Sequence, residues 1–130
     1  MSTHSNSTVT IDVNPPQAVQ QSSAITPTVK AKVQFDSDSH LKGGESNIFA
    51  AAVIKDMNGI PIANSDCGGN IATRYQSKQT VGNRVNLTYN FSDLAIYKTG
   101  TFRIHISISY INGMESRVLG HAQSLSFMVN

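Results

Sequence analysis

The sequence predicts an all-β fold, an immunoglobulin-like two-sheet β-sandwich of about seven strands. Three observations predict it. Apolar residues recur with a period of two in at least four separate segments, turn residues stand between those segments, and no stretch carries the three-to-four spacing of an amphipathic helix. A chain of 130 residues suits one core rather than two. Residues 1–8 are expected to form a flexible N-terminus and residues 9–130 a single domain.

The elements follow in order. Val9, Ile11 and Val13 alternate with Thr8, Thr10 and Asp12, and Pro15-Pro16 stops the run, as expected of a first edge strand, because proline lacks the ladder N–H. Val29, Ala31, Val33 and Phe35 alternate with Lys30, Lys32 and Gln34, so one face of this second strand is buried and both lysines are solvated. Ile48 to Lys55 is a short apolar run, too short for a helix. Asn58-Gly59 after it signals a hairpin of type I′, with Ile60 and Ile62 on the return strand. From Asn64 to Arg84 the periodicity fades, and Gly68, Gly69 and Gly82 predict a long loop.

Alternation then returns at Val85, Leu87, Tyr89 and Phe91. It is clearest at Phe102, Ile104, Ile106, Ile108 and Tyr110, with Arg103, His105, Ser107 and Ser109 on the opposite face. Asn112-Gly113 turns the chain. Leu119, Leu125, Phe127 and Val129 form a last strand that pairs back, with Gly120 as a bulge.

Ten Lys and Arg against eight Asp and Glu give a net charge of +2, a field too weak to mark a polyanion binder by itself. Cys67 is the sole cysteine, so no intramolecular disulfide can form and the fold rests on packing. The start MSTHSNSTVTIDVN lacks the basic opening and apolar run of a secretory signal, and no stretch reaches about 20 apolar residues. An intracellular protein, in the nucleus or cytoplasm and away from membranes, is the expectation.

Catalytic chemistry finds no foothold. His4, His40, His105 and His121 do not stand at spacings used by zinc sites, and Cys67 has no second cysteine nearby, so neither a metal nor any other cofactor is expected. There is no GxSxG elbow, and Gly68-Gly69-Asn70 lacks the GK[ST] ending of a phosphate loop. The sequons at Asn6, Asn86 and Asn90 are read as accidental without a secretory leader. The candidate site that survives is cationic. Arg74, Lys78 and Arg84 share the expected loop with Tyr75 and no acid between Asp66 and Asp93, and such a loop either grips phosphates or is merely solvated. Lys30 and Lys32 add a second strip, which reads equally as a wet face or a guard against edge pairing.

The stretch FSDLAIYKTGTFRIHISI resembles the hallmark of the velvet domain of fungal regulators: Phe91, the pair Asp93 and Leu94, a spacer, Gly100, Phe102 and Arg103 leading into a long alternating strand. The step Ile25 to Pro27 and the closing SLSFMV are similar to the start and end of that domain. The resemblance implies a Rel-like immunoglobulin fold, nuclear activity, DNA binding, and a hetero- or homodimer with a second velvet protein to control development and secondary metabolism. The chain departs from the family where a basic segment normally precedes the Ile25 step, since Gln17 to Ala24 carries no positive charge. Phosphate contacts then fall to Lys30, Lys32, Arg74, Lys78 or Arg84. The competing expectation is an immunoglobulin-like protein-binding or structural module with no nucleic-acid role.

Overall fold

A computed structural model describes residues 7–37, 41 and 43–130. Twelve strands lie among them: β1 (Thr8–Val13), β2 (Ala18–Val19), β3 (Val29–Asp36), β4 (Ile48–Asp56), β5 (Cys67–Gly68), β6 (Ala72–Arg74), β7 (Ser77–Val81), β8 (Arg84–Phe91), β9 (Ala95–Ile96), β10 (Gly100–Asn112), β11 (Glu115–Gln123) and β12 (Phe127–Val129). The expected seven strands are thus outnumbered. The additional ones have two to five residues and no apolar period of their own, so only main-chain pairing reveals them.

The first sheet runs β1-β3-β8-β7, and the second runs β2-β12-β10-β4-β6 with β11 also paired to β10. A two-stranded ribbon, β5-β9, stands apart. The inner faces of the two main sheets share one core: Val29, Ala31, Val33, Phe35, Val85, Leu87, Tyr89 and Phe91 from the first, and Ile48, Ala50, Ala52, Ile54 and the Ile104–Ile106–Ile108 row from the second. Here the period-two reading holds, because each alternating residue is buried and each intervening one faces outward. β1 is an edge strand as expected, and after Pro15-Pro16 the chain crosses to the second sheet, where β2 pairs in parallel with β12. Of the expected flexible stretch, residues 1–6 lie outside the described residues, and Thr8 already pairs with Gln34.

Two turns differ from expectation. Asn58-Gly59 closes a hairpin, but positive φ falls on Gly59 alone, so the turn is not type I′. The Asp56 carboxylate accepts the N–H groups of Asn58 and Ile60 at 2.9 and 3.0 Å and shapes the loop. The return strand shrinks to a bridge between Lys55 and Pro61, as proline offers no N–H to extend it. At the other hairpin Asn112 pairs with Glu115, leaving Gly113 and Met114 as the two-residue loop with positive φ at Gly113, the position a type II′ turn assigns to glycine.

The expected last strand is two strands. Its bulge is real: Ile108 faces Gly120 while Ser109 faces Val118, so Leu119 is the extra residue. Beyond it, Ser124 is buried, its hydroxyl accepts the Ile104 N–H at 2.8 Å, and its own N–H donates to the Ile104 carbonyl. This serine interrupts the ladder between β11 and β12 and turns Leu125 into solvent, 70% exposed. The expectation that Leu125 belongs to the last strand is thereby corrected, since it lies between β11 and β12. Among the described residues no helix is long and apolar enough to cross a membrane.

Candidate functional site

The expected cationic loop is not a loop. Residues 72–74 form β6 at the edge of the second sheet and residues 77–81 form β7 at the edge of the first, so Arg74 and Lys78 are held on different sheets. All five residues of β7 are exposed, which is why no apolar rhythm betrayed the strand. Tyr75, expected to serve phosphate contact beside them, packs against the core instead.

Each cation of that group already has a partner. The Arg74 guanidinium lies 5.4 Å from the Phe49 ring centre, in the geometry of a cation–π contact. Lys78 pairs in register with buried Leu87, which points its side chain to the inner rim, where the ammonium meets the Glu45 carboxylate at 3.3 Å. Arg84 lies 3.3 Å from Asp36 and donates to Gln34 Oε1. Lys30 and Lys32 point outward from β3, on the polar outer face that Arg84, Asn86, Thr88 and Asn90 continue on β8. The five candidate phosphate contacts therefore divide among three places and form no common groove.

Glu45 shows how one of these pairs is built. Burial pushes its carboxyl up, but the Gly43 N–H, 3.0 Å from both carboxylate oxygens, a backbone bond of its own residue, and the Lys78 ammonium outweigh this and hold it below the usual carboxylate range.

The velvet-like motif residues have packing roles. Phe91, Leu94 and Phe102 are buried in the core, and the Phe102 ring stands 6.5 Å from that of Phe127. Asp93 has φ +61 and its carbonyl lies where a side chain on Gly69 would have to go. Leu94 accepts the Ile25 N–H at 2.7 Å, joining the central motif to the Ile25–Pro27 step. Gly100, at φ +145, lies under the Phe102 ring. Asp93 is exposed, and Arg103 occupies a half-buried position on the outer face of β10.

Register on the second sheet's outer face gathers residues that spacing could not associate. Down β4 and β10, Phe49 faces Ser109, Ala51 faces Ser107, Val53 faces His105 and Lys55 faces Arg103. β11 extends the face, with Val118 opposite Ser109, His121 opposite Ser107 and Gln123 opposite His105. The upper half is built mostly of small or apolar residues, with Val53, Ile111 and Val118 exposed and the Arg74 guanidinium over Phe49 at its β6 edge. The lower half holds a pocket of about 280 Å³ lined by Lys55, Arg103, His105, Gln123 and the hairpin from Asp56 to Gly59.

His105 and His121 sit side by side, Nε2 of the first 3.1 Å from Nδ1 of the second. Strand pairing makes this neighbourhood, which the sequence spacing of the histidines did not suggest. Burial, the Lys55 ammonium and His121 all push the His105 imidazole below its ordinary value. Among the described residues no group of three His, Cys, Asp or Glu side chains is placed to hold a metal ion. His4 and His40 lie outside the described residues.

No protein-family model and no curated protein matches the chain. Solved structures do. A ceramidase complexed with C2 aligns over 92% of this chain and 18% of its own, at 15% identity and TM-score 0.41. The neutral ceramidase of Pseudomonas aeruginosa aligns over 92% of this chain and 19% of its own, at 15% identity and TM-score 0.42. A family 123 glycoside hydrolase from Clostridium perfringens aligns over 96% of this chain and 27% of its own, at 10% identity and TM-score 0.43. The chain thus spans roughly a fifth to a quarter of the proteins it resembles, and at these scores the likeness says nothing of activity.

Proposed function

We propose that the chain is an immunoglobulin-like, velvet-type regulatory domain that works by pairing with a second β-sandwich chain, its own grip on DNA being weak or supplied by the partner. The observation that carries this reading is the contrast between the two outer faces. One is polar throughout, with Lys30, Lys32, Asp36 and Arg84; the other gathers its charges at the lower end, with Lys55 and Arg103, and at the Arg74–Phe49 edge, and between them presents Ala51, Val53, Ile111 and Val118 with serines among them. A flat, charge-poor patch with apolar side chains in solvent is the composition of a protein–protein interface core. The family reading is supported by the residues of the stretch from Phe91 to Arg103 themselves.

Sedimentation of the isolated chain tests the pairing in its self-associating form. A dimer is expected, and Val118→Glu is expected to return it to monomer with its β-sheet circular dichroism unchanged and a melting temperature that no longer depends on concentration, since an exposed substitution costs the monomer within about 0.5 kcal/mol. A wild-type chain that stays monomeric at every concentration reached, or a Val118→Glu variant that still dimerises, overturns it.

The second reading, a protein-binding module with no nucleic-acid role, is favoured by the separation of the five candidate cations and the partners that Arg74, Lys78 and Arg84 already hold. Titration with duplex DNA at two salt concentrations divides the two. Affinity that falls steeply with salt supports a phosphate grip, whereas no binding at low salt leaves the module reading.

A further inference from the structure

Arg103 on β10 and Lys55 on β4 stand directly opposite each other in register, on the outer face of the second sheet. Like charges placed so destabilise a sheet, and here both side chains are half-buried, where water screens them less. Among the described residues neither forms an ion pair. Asp56, the carboxylate in the pocket lining, accepts the N–H groups of Asn58 and Ile60 of its own hairpin on Oδ1. With that carboxylate bound to hairpin N–H groups and ion-paired to neither Lys55 nor Arg103, the two facing cations leave a place for an anion from outside.

The rest of the pocket matches such a ligand. His105 lies one step along the same face and Gln123 faces it from β11, so an arginine, a lysine, an imidazole and an amide converge from three adjacent strands. The Arg fork and the Lys point charge are the two side chains that recognise phosphate oxygens best. The volume of about 280 Å³ lies at the lower end of the range for small-molecule sites, which suits a small phosphate-bearing group rather than a large ligand.

We propose that Lys55, Arg103, His105 and Gln123 form a binding site for a compact phosphate group, free or as a small monoester. This site stands independently of the pairing reading and uses none of the five cations that the sequence singled out. Binding would place negative charge beside an imidazole that now faces Lys55 on β4, Arg103 on its own strand and His121 on β11, so the ligand should raise the His105 pKa and bind more tightly below neutral pH.

The test is titration of the whole chain with inorganic phosphate, against sodium chloride of equal ionic strength, followed by amide and histidine-ring NMR. Saturable shifts are expected at Lys55, Arg103, His105 and Gln123, with the His105 ring titrating at higher pH once phosphate is bound. Lys55→Gln and Arg103→Gln are each expected to weaken phosphate at least tenfold. Each should also raise the melting temperature by about 1–4 °C without phosphate, because the facing charges no longer repel. Glycerol phosphate separates the sources: tighter binding than inorganic phosphate assigns the pocket to an ester, weaker binding to the free ion. Phosphate effects no larger than those of chloride, unchanged affinity in both variants, or binding of duplex DNA without binding of phosphate would each overturn the assignment.

Discussion

The hydroxyl of Tyr89, on the inner face of the first sheet, donates to the main-chain carbonyl of Ile48 on the second, 3.0 Å away. Both residues are fully buried, so this hydrogen bond spans the core in a place water does not reach. Burial, followed by the influence of Tyr75, pushes the phenol above its ordinary value and favours its protonated, donating form. Tyr89→Phe keeps the ring and leaves the Ile48 carbonyl without that donor. The variant should lose about 1–2 kcal/mol, read as a lower urea midpoint with an unchanged slope. An unchanged midpoint would mean that the bond contributes nothing net.

Acid should unfold the chain partly through Glu45. Its carboxyl is held below the ordinary value in the folded state, so its contribution to stability is fully present above the unfolded value, near 4.5, and is lost as pH falls through the folded one. Glu45→Gln should flatten this acid limb of a stability-versus-pH curve while lowering stability at pH 7 by about 1–3 kcal/mol, because a charged acceptor for the Gly43 N–H is gone. Thermal melts of both proteins from pH 3 to 7 check the sign.

Two glycines should respond differently to alanine. Gly69, at φ +100, faces the Asp93 carbonyl so closely that a Cβ has no room, and the obstacle is backbone rather than a movable side chain. Gly69→Ala should cost about 2–4 kcal/mol, strain and displacement together. Gly59, at φ +80, has nothing within 4 Å of its Cβ position, so Gly59→Ala should cost only the left-handed backbone penalty of about 1–2 kcal/mol. Equal losses in chemical denaturation would remove the steric reading of Gly69.

Ile106 is fully buried in the middle of β10. Ile106→Val should cost about 0.5–1.5 kcal/mol and Ile106→Ala about 2–5 kcal/mol, the spread reflecting how far the two sheets can close on the cavity. Ile106→Asp should prevent folding at room temperature, checked by loss of near-ultraviolet dichroism.

The sequence by itself determined the all-β class, the inner rows of β3, β8 and β10, the glycine-bearing turn at Gly113 and the bulge beside Gly120, because each leaves its mark in a local pattern of period two or a required glycine. Only the tertiary structure decided the rest. β7 carries no apolar rhythm because it lies exposed at a sheet edge, held through main-chain bonds that any side chain permits. Leu125 falls outside the last strand because Ser124 takes the main-chain groups of Ile104. The partners of Arg74, Lys78 and Arg84, and the meeting of Lys55 with Arg103 and His105, follow from strand register between segments far apart in the chain. Register is set by which rows of side chains the whole core can bury together, and no single segment contains that information.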